Sequence, residues 1–177
     1  MKLLLHACCA PCSVQCIETL RDEGIEPVVF WFNPNIHPYT EYMSRRQALI
    51  DYAKVIGIEL VIEGEYALRE FVKFAIADLD NRCAYCYKTR LDAAALYAAR
   101  NGFDAICSTL LISPYQNHDM IREIGEEVAA NRGIKFLYRD FRPNFRLGQK
   151  QAKENGLYMQ KYCGCIFSEE ERYIKSK

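Results

Sequence analysis

Glycine and proline are sparse in this 177-residue chain, nine and six in number, so neither a collagen-like repeat nor a flexible low-complexity linker is built into it. No apolar run approaches the roughly 18 residues of a membrane span. The apolar start, Leu3–Leu5, follows a single lysine and is too short for a secretory signal. These absences point to a cytoplasmic protein with no membrane contact. Neither charge is in excess, with 23 Lys and Arg against 23 Asp and Glu, so no global field draws the chain to a polyanion. There is no G-x-x-x-x-G-K-[ST] and no G-x-G-x-x-G, which excludes the phosphate loop and the dinucleotide fingerprint. Disorder is excluded too, because half the residues are hydrophobic.

What is abundant is cysteine, nine in all. Without an export signal, and with an odd count, a disulfide framework does not fit. Clustered cysteines in a cytosolic chain serve as metal ligands or redox centres. Four fall in the first sixteen residues, MKLLLHACCAPCSVQC. An apolar strand, a thiol-bearing turn and a helix opened by Pro11 read this way, and a helix N-terminus stabilises thiolates.

Strands and helices alternate along the chain. Strands are expected at Lys2–His6, Pro27–Phe32, Ile58–Ile62, Phe103–Cys107 and Ile134–Tyr138. Helices are expected at Pro11–Glu23, Tyr39–Ile56, Tyr66–Ala77, Arg82–Arg100, His118–Asn131, Phe145–Glu154 and Ser168–Lys177, the last capped by Ser168. Ser108–Asn117 reads as a loop. The pattern predicts a single α/β domain over residues 1–177. Its core is a five-stranded parallel sheet in the order 3-2-1-4-5, with helices on both faces. Ligands of such sheets bind beyond the carboxyl ends of the strands at the switch point. That places Cys8, Cys9 and Cys12 in one crevice with Ser108 and Thr109.

Three cysteine groups carry candidate chemistry: Cys8-Cys9-Ala10-Pro11-Cys12, Cys83-Ala84-Tyr85-Cys86 and Cys163-Gly164-Cys165. The step from Cys83 to Cys86 puts two sulfurs on one helical face. Both zinc and a [4Fe–4S] cluster take four thiolates, and spacing alone does not choose between them. Adjacent ligands crowd a single tetrahedral ion and favour the larger cluster. Cys163 and Cys165, one glycine apart, read as a redox pair or as two further ligands. Cys16 and Cys107 read as core thiols and His6 as a satisfied core histidine. Cys12 is a further candidate ligand, a thiol facing substrate or a helix-start residue. His118 is a candidate acid–base group, with an ordinary early-helix role as the alternative. Arg132–Lys161 holds eight Lys and Arg against two acids. Such a stretch is a footprint for a polyanion or a solvated face.

HACCAPCS, FNPNIHPYTEYMSR, RCAYCYKTRL, STLLISPYQNHDMI and YCGCIFS, taken together and in order, resemble the cobalamin-independent epoxyqueuosine reductases, the QueH family. The resemblance covers nearly the whole chain. It implies an adenine nucleotide alpha-hydrolase (HUP)-like fold and reduction of epoxyqueuosine in tRNA to queuosine. It also implies a [4Fe–4S] cluster on Cys8, Cys9, Cys83 and Cys86, and a redox-active Cys163–Cys165 pair. A second metal ion nearby, with Cys12 as a candidate ligand, and an external electron donor complete that expectation. His118 or Tyr115 is expected to supply the proton. The aromatic-interleaved Arg139, Arg142 and Arg146 are expected to contact tRNA phosphates, because RNA recognition favours stacking and backbone contacts. Two other readings compete. One is a zinc-dependent, thiolating tRNA-modifying transferase on the same scaffold; the missing phosphate loop counts against it. The other is a metal-dependent RNA-binding module, which needs no surplus thiols.

Overall fold

The computed structural model describes residues 1–174. Five parallel strands form one sheet: β1 (Leu3–His6), β2 (Val28–Trp31), β3 (Leu60–Ile62), β4 (Ala105–Ser108) and β5 (Lys135–Phe136). They lie in the order β3-β2-β1-β4-β5, as the alternation predicts. β1 is central and entirely buried, which is why Leu3–Leu5 is a continuous apolar run rather than an alternating one.

Seven helices connect and flank the strands: α1 (Ala10–Asp22), α2 (Tyr39–Ile56), α3 (Leu68–Ala75), α4 (Arg82–Arg100), α5 (His118–Ala130), α6 (Phe145–Glu154) and α7 (Ile166–Tyr173). Right-handed crossovers put α1 and α2 on one face of the sheet and α4 and α5 on the other. The packing of α1 against α2 and α6, and of α4 against α5, agrees. No helix among the described residues is long and apolar enough to cross a membrane.

Several boundaries differ from the sequence reading, each for a physical reason. β4 runs to Ser108 rather than ending at Cys107 because it pairs residue for residue with β1, His6 opposite Ser108. β5 is two residues long. As an edge strand it has only β4 to pair with. The predicted loop after β4 contains a 3-10 turn, Thr109–Ile112, whose cap Ser108 accepts a hydrogen bond from the Leu110 N–H at 3.2 Å. The terminal helix starts earlier than predicted and Ser168 does not cap it. Cys165 does, its sulfur accepting from the Ser168 N–H at 3.4 Å. Residues 175–177 of that predicted helix lie outside the described residues.

Candidate active site

β1 ends at His6 and α1 begins at Ala10, so Cys8 and Cys9 occupy the turn between them and Cys12 the first helical turn. The three sulfurs all lie within 4.8 Å of one another. Thr109, at the neighbouring end of β4, fixes this turn from the far side. Its hydroxyl accepts from the Cys8 N–H at 3.1 Å and donates to Cys8 Sγ at 3.4 Å. Gln160 closes the group, its amide N–H donating to Cys9 Sγ at 3.0 Å and Cys12 Sγ at 3.4 Å. Hydrogen bonds from the Cys12 and Cys9 thiols hold the Cys8 thiol well below its ordinary range. Burial pushes the Cys9 thiol up, and the bond to Cys8 does the same for Cys12.

His6, beneath this turn, is a satisfied core histidine as read. Its Nε2 faces the Phe32 carbonyl at 3.4 Å and its Nδ1 the Ser108 hydroxyl at 2.9 Å. A carbonyl only accepts, so Nε2 carries the proton and Ser108 donates to Nδ1. Burial lowers its pKa to about 3. Cys16 and Cys107 are fully buried core thiols.

Cys83 is exposed at the start of α4, and Cys86 is buried one turn later. Neither belongs to the tight group of three. Arg90, a further turn along, stands between: its Nη1 donates to Cys86 Sγ at 3.4 Å, and it lines the same cavity as Cys8. Burial pushes the Cys86 thiol up to about 12.

The C-x-C segment is fastened to the β2–α2 region by side chains. Arg45 donates to the Cys163 carbonyl at 2.8 Å and the Tyr162 carbonyl at 3.0 Å, and its Nε pairs with Glu41 at 2.7 Å. The His37 N–H donates to the Gly164 carbonyl at 2.8 Å. Gly164 has φ +155°, and an added Cβ there would lie 3.2 Å from Asn35 Nδ2 and 3.4 Å from Arg45 Nη1. The two thiols of the segment have different surroundings. Cys163 faces the cavity and receives a hydrogen bond from the Gln116 amide at 3.4 Å. Cys165 packs with Cys86, Phe71 and Ala75.

A cavity of about 670 Å³ collects these groups, lined by Cys8, Cys12, Arg90, Thr109, Gln160 and Cys163, with Tyr115 and Phe145 also in its wall. The family model for "Epoxyqueuosine reductase QueH" matches residues 3–171. The chain belongs to the QueH family. Relatives named epoxyqueuosine reductase QueH include one from Dehalococcoides mccartyi, 39% identical over 98% of this chain and 96% of the relative. Another, from Thermotoga maritima, is 36% identical over 98% and 93%. One from Acinetobacter baylyi is 36% identical over 94% and 80%. Among solved structures, a predicted subunit of a tRNA methyltransferase from Methanocaldococcus jannaschii is similar, with a TM-score of 0.54 at 15% identity over 86% of this chain and 75% of that one. That likeness concerns the fold alone and agrees with the parallel α/β architecture described above. As a QueH-family reductase the chain is an oxidoreductase, which displaces both the transferase and the binding-module readings.

The remaining expected residues divide. Tyr115 is exposed in the cavity wall, its ring edge-on to Phe145 at 6.0 Å. His118 is buried on α5 and is not a wall residue; its Nε2 donates to the Ser113 carbonyl at 3.0 Å and its Nδ1 has no partner. Arg139 pairs with Glu23 at 3.1 Å and Arg142 with Asp140 at 2.7 Å. Arg146 is exposed, with no ion pair among the described residues. The sequence reading missed Arg90, Gln160 and the role of Gln116. The four-residue step from Cys86 to Arg90 within RCAYCYKTR was the one available signal.

The donor set fits a thiophilic, negatively charged cofactor. Three sulfurs converge, and the buried Arg90 guanidinium lines the same cavity. Soft thiolates select zinc, cuprous copper and iron–sulfur clusters.

Proposed function

We propose that this QueH-family protein reduces epoxyqueuosine carried in tRNA to queuosine, using a [4Fe–4S] cluster and the Cys163–Cys165 dithiol, in the cytoplasm. The observation that carries this reading is the meeting of the Cys8-Cys9-Cys12 turn with Cys163 in one cavity. Cys8, Cys9, Cys83 and Cys86 are the ligands in this reading, and Cys12 is left for a second metal ion. A bound cluster would supply electrons and a Lewis-acidic iron for the epoxide oxygen. Loss of that oxygen as water takes two electrons and two protons. Oxidation of one dithiol to a disulfide releases two of each, so the step balances. Cys163 makes the cavity-facing contact, Cys165 completes the pair, and an external donor reopens the disulfide.

Gln116 orients Cys163 through its amide, and its own carbonyl is held by the Tyr87 hydroxyl at 2.7 Å. Tyr115, in the wall, is the proton donor; His118, spent on Ser113, positions the loop that carries it. The modified base leaves its stack to reach the cavity. Arg139, Arg142 and Arg146 hold the surrounding phosphates, next to Phe145 at the wall.

Anaerobic reconstitution of the full chain, followed by incubation with epoxyqueuosine-bearing tRNA and a chemical reductant, tests the reading. About four iron and four sulfide per chain, and queuosine detected by nucleoside mass spectrometry, are expected. Iron-loaded protein that yields no queuosine overturns it.

A further inference from the structure

The interior holds two arginines, Arg45 and Arg90, each 1% exposed. A guanidinium is always charged, and burying a charge is expensive unless it is compensated. Arg45 is compensated in full view: the Glu41 carboxylate takes its Nε and two carbonyls take its other nitrogens. Arg90 has no carboxylate partner among the described residues. Among the described residues its one hydrogen bond goes to a sulfur, Cys86 Sγ at 3.4 Å, and its Nε has no partner. Around it stand Cys86, in hydrogen-bond contact, Cys8 and Cys163, which line the same cavity, and the core histidine His6. His6 is neutral, with both ring nitrogens engaged, so it neither repels nor neutralises the guanidinium. The other three are thiols, one from each cysteine group.

We infer that Arg90 is the fixed counter-charge of the thiolate-bound centre, a positioning residue that favours the more negative redox state of whatever the cavity holds. The inference rests on the iron–sulfur reading above. Geometry supports the role. α4 presents Cys86 and Arg90 four residues apart on one face, so the cation is delivered to the cavity by the same helix that delivers a ligand. The one carboxylate in the cavity wall, Glu171, is paired with Arg82, so the charge of Arg90 is left to the sulfurs. An arginine there to bind a substrate phosphate would sit at the rim; this one is buried behind the Cys8 turn.

The experiment compares the anaerobically reconstituted wild type with Arg90→Lys and Arg90→Gln. Circular dichroism reports folding, chemical analysis reports iron and sulfide, and spectroelectrochemical titration reports the midpoint potential. Removing the positive charge is expected to lower the reduced-to-oxidised ratio at fixed ambient potential at least tenfold, about 59 mV for one electron. Arg90→Lys is expected to stay within threefold of wild type. Folded Arg90→Gln that binds no iron, beside Arg90→Lys that does, reads the same need for charge as a loss of metal. An unchanged potential in Arg90→Gln overturns the inference, even if KM for tRNA rises. So does equal failure of both variants, whether by unfolding or by loss of iron. Wild-type protein that takes up no iron and sulfide sinks the parent reading, and this one with it.

Discussion

Thr109 illustrates how much one hydroxyl carries in this site. It receives the Cys8 N–H and donates to the Cys8 sulfur, so it fixes both the backbone and the thiol of the same residue. Thr109→Val keeps the shape and removes both bonds. Leaving a part-buried N–H unsatisfied costs about 1–3 kcal/mol, so the unfolding free energy of the metal-free protein, read from urea melts, should fall by that amount, and Thr109→Ser should recover most of it. The dithiol gives a second residue-scale prediction. Cys163→Ser and Cys165→Ser should each abolish multiple turnover, with folding and iron content preserved; native turnover in either removes the pair from the mechanism. At this scale the cysteines were legible in the sequence and their partners were not. A thiol declares its chemistry by type. Arg90 and Gln160 become site residues only because α4 and the segment before Cys163 dock against the β1–α1 turn, and no local pattern encodes that docking.

The elements most telling for function are α2 and the C-x-C segment it holds. Glu41 and Arg45 form a buried pair one helical turn apart, and Tyr158 adds a hydrogen bond to Glu41. Removing one partner of a buried pair leaves an uncompensated charge, at a cost of about 3–5 kcal/mol. Arg45→Met should therefore lower thermal stability and loosen Cys163, read as faster alkylation of that thiol. Gly164→Ala places a side chain where φ is +155° and Asn35 and Arg45 already stand. It should shift the same two readouts in the same direction, with α2 itself intact. Tyr39–Ile56 matched the sequence reading residue for residue, because an eighteen-residue helix closed by glycine announces both its ends. β5 and the start of α7 did not. An edge strand's length is set by its partner, and a cysteine is not a residue one expects to find capping a helix.

Across the whole molecule, two buried histidines govern the response to acid. His37 donates from Nε2 to the Pro34 carbonyl at 3.0 Å and accepts the Ile166 N–H on Nδ1 at 3.3 Å, a neutral ring with no room for a second proton. Burial lowers its pKa to about 4, and that of His6 to about 3. Both folded values lie below the unfolded value of about 6.5. As pH falls through 6.5 the unfolded chain takes up protons that the folded chain refuses, and stability drops until the folded values are reached. The urea midpoint of the metal-free protein should decline between pH 6.5 and 4, and His37→Gln should flatten that decline; a level wild-type profile would contradict it. The charge distribution acts at the same scale. Of the basic stretch, Arg132, Arg139, Arg142 and Lys150 are already paired with acids. Charge reversal at unpaired Arg146 should thus weaken tRNA binding, and its salt dependence, more than reversal at Arg139. The strand order was legible from alternation alone, because right-handed crossovers leave few alternatives.

Cys8, Cys9 and Cys12 lie within five consecutive residues, so their convergence needs little more than one turn of chain. Arg90 reaches their cavity, and Cys86 its contact with Arg90, only after α4 has docked. A nascent polypeptide leaving the ribosome thus exposes a soft chelating sequence long before the rest of the pocket exists. Zinc binds such donors more tightly than ferrous iron, so on the proposed iron–sulfur reading the growing chain is open to capture by the wrong metal, and faithful assembly depends on how fast the second half of the sheet closes over the first.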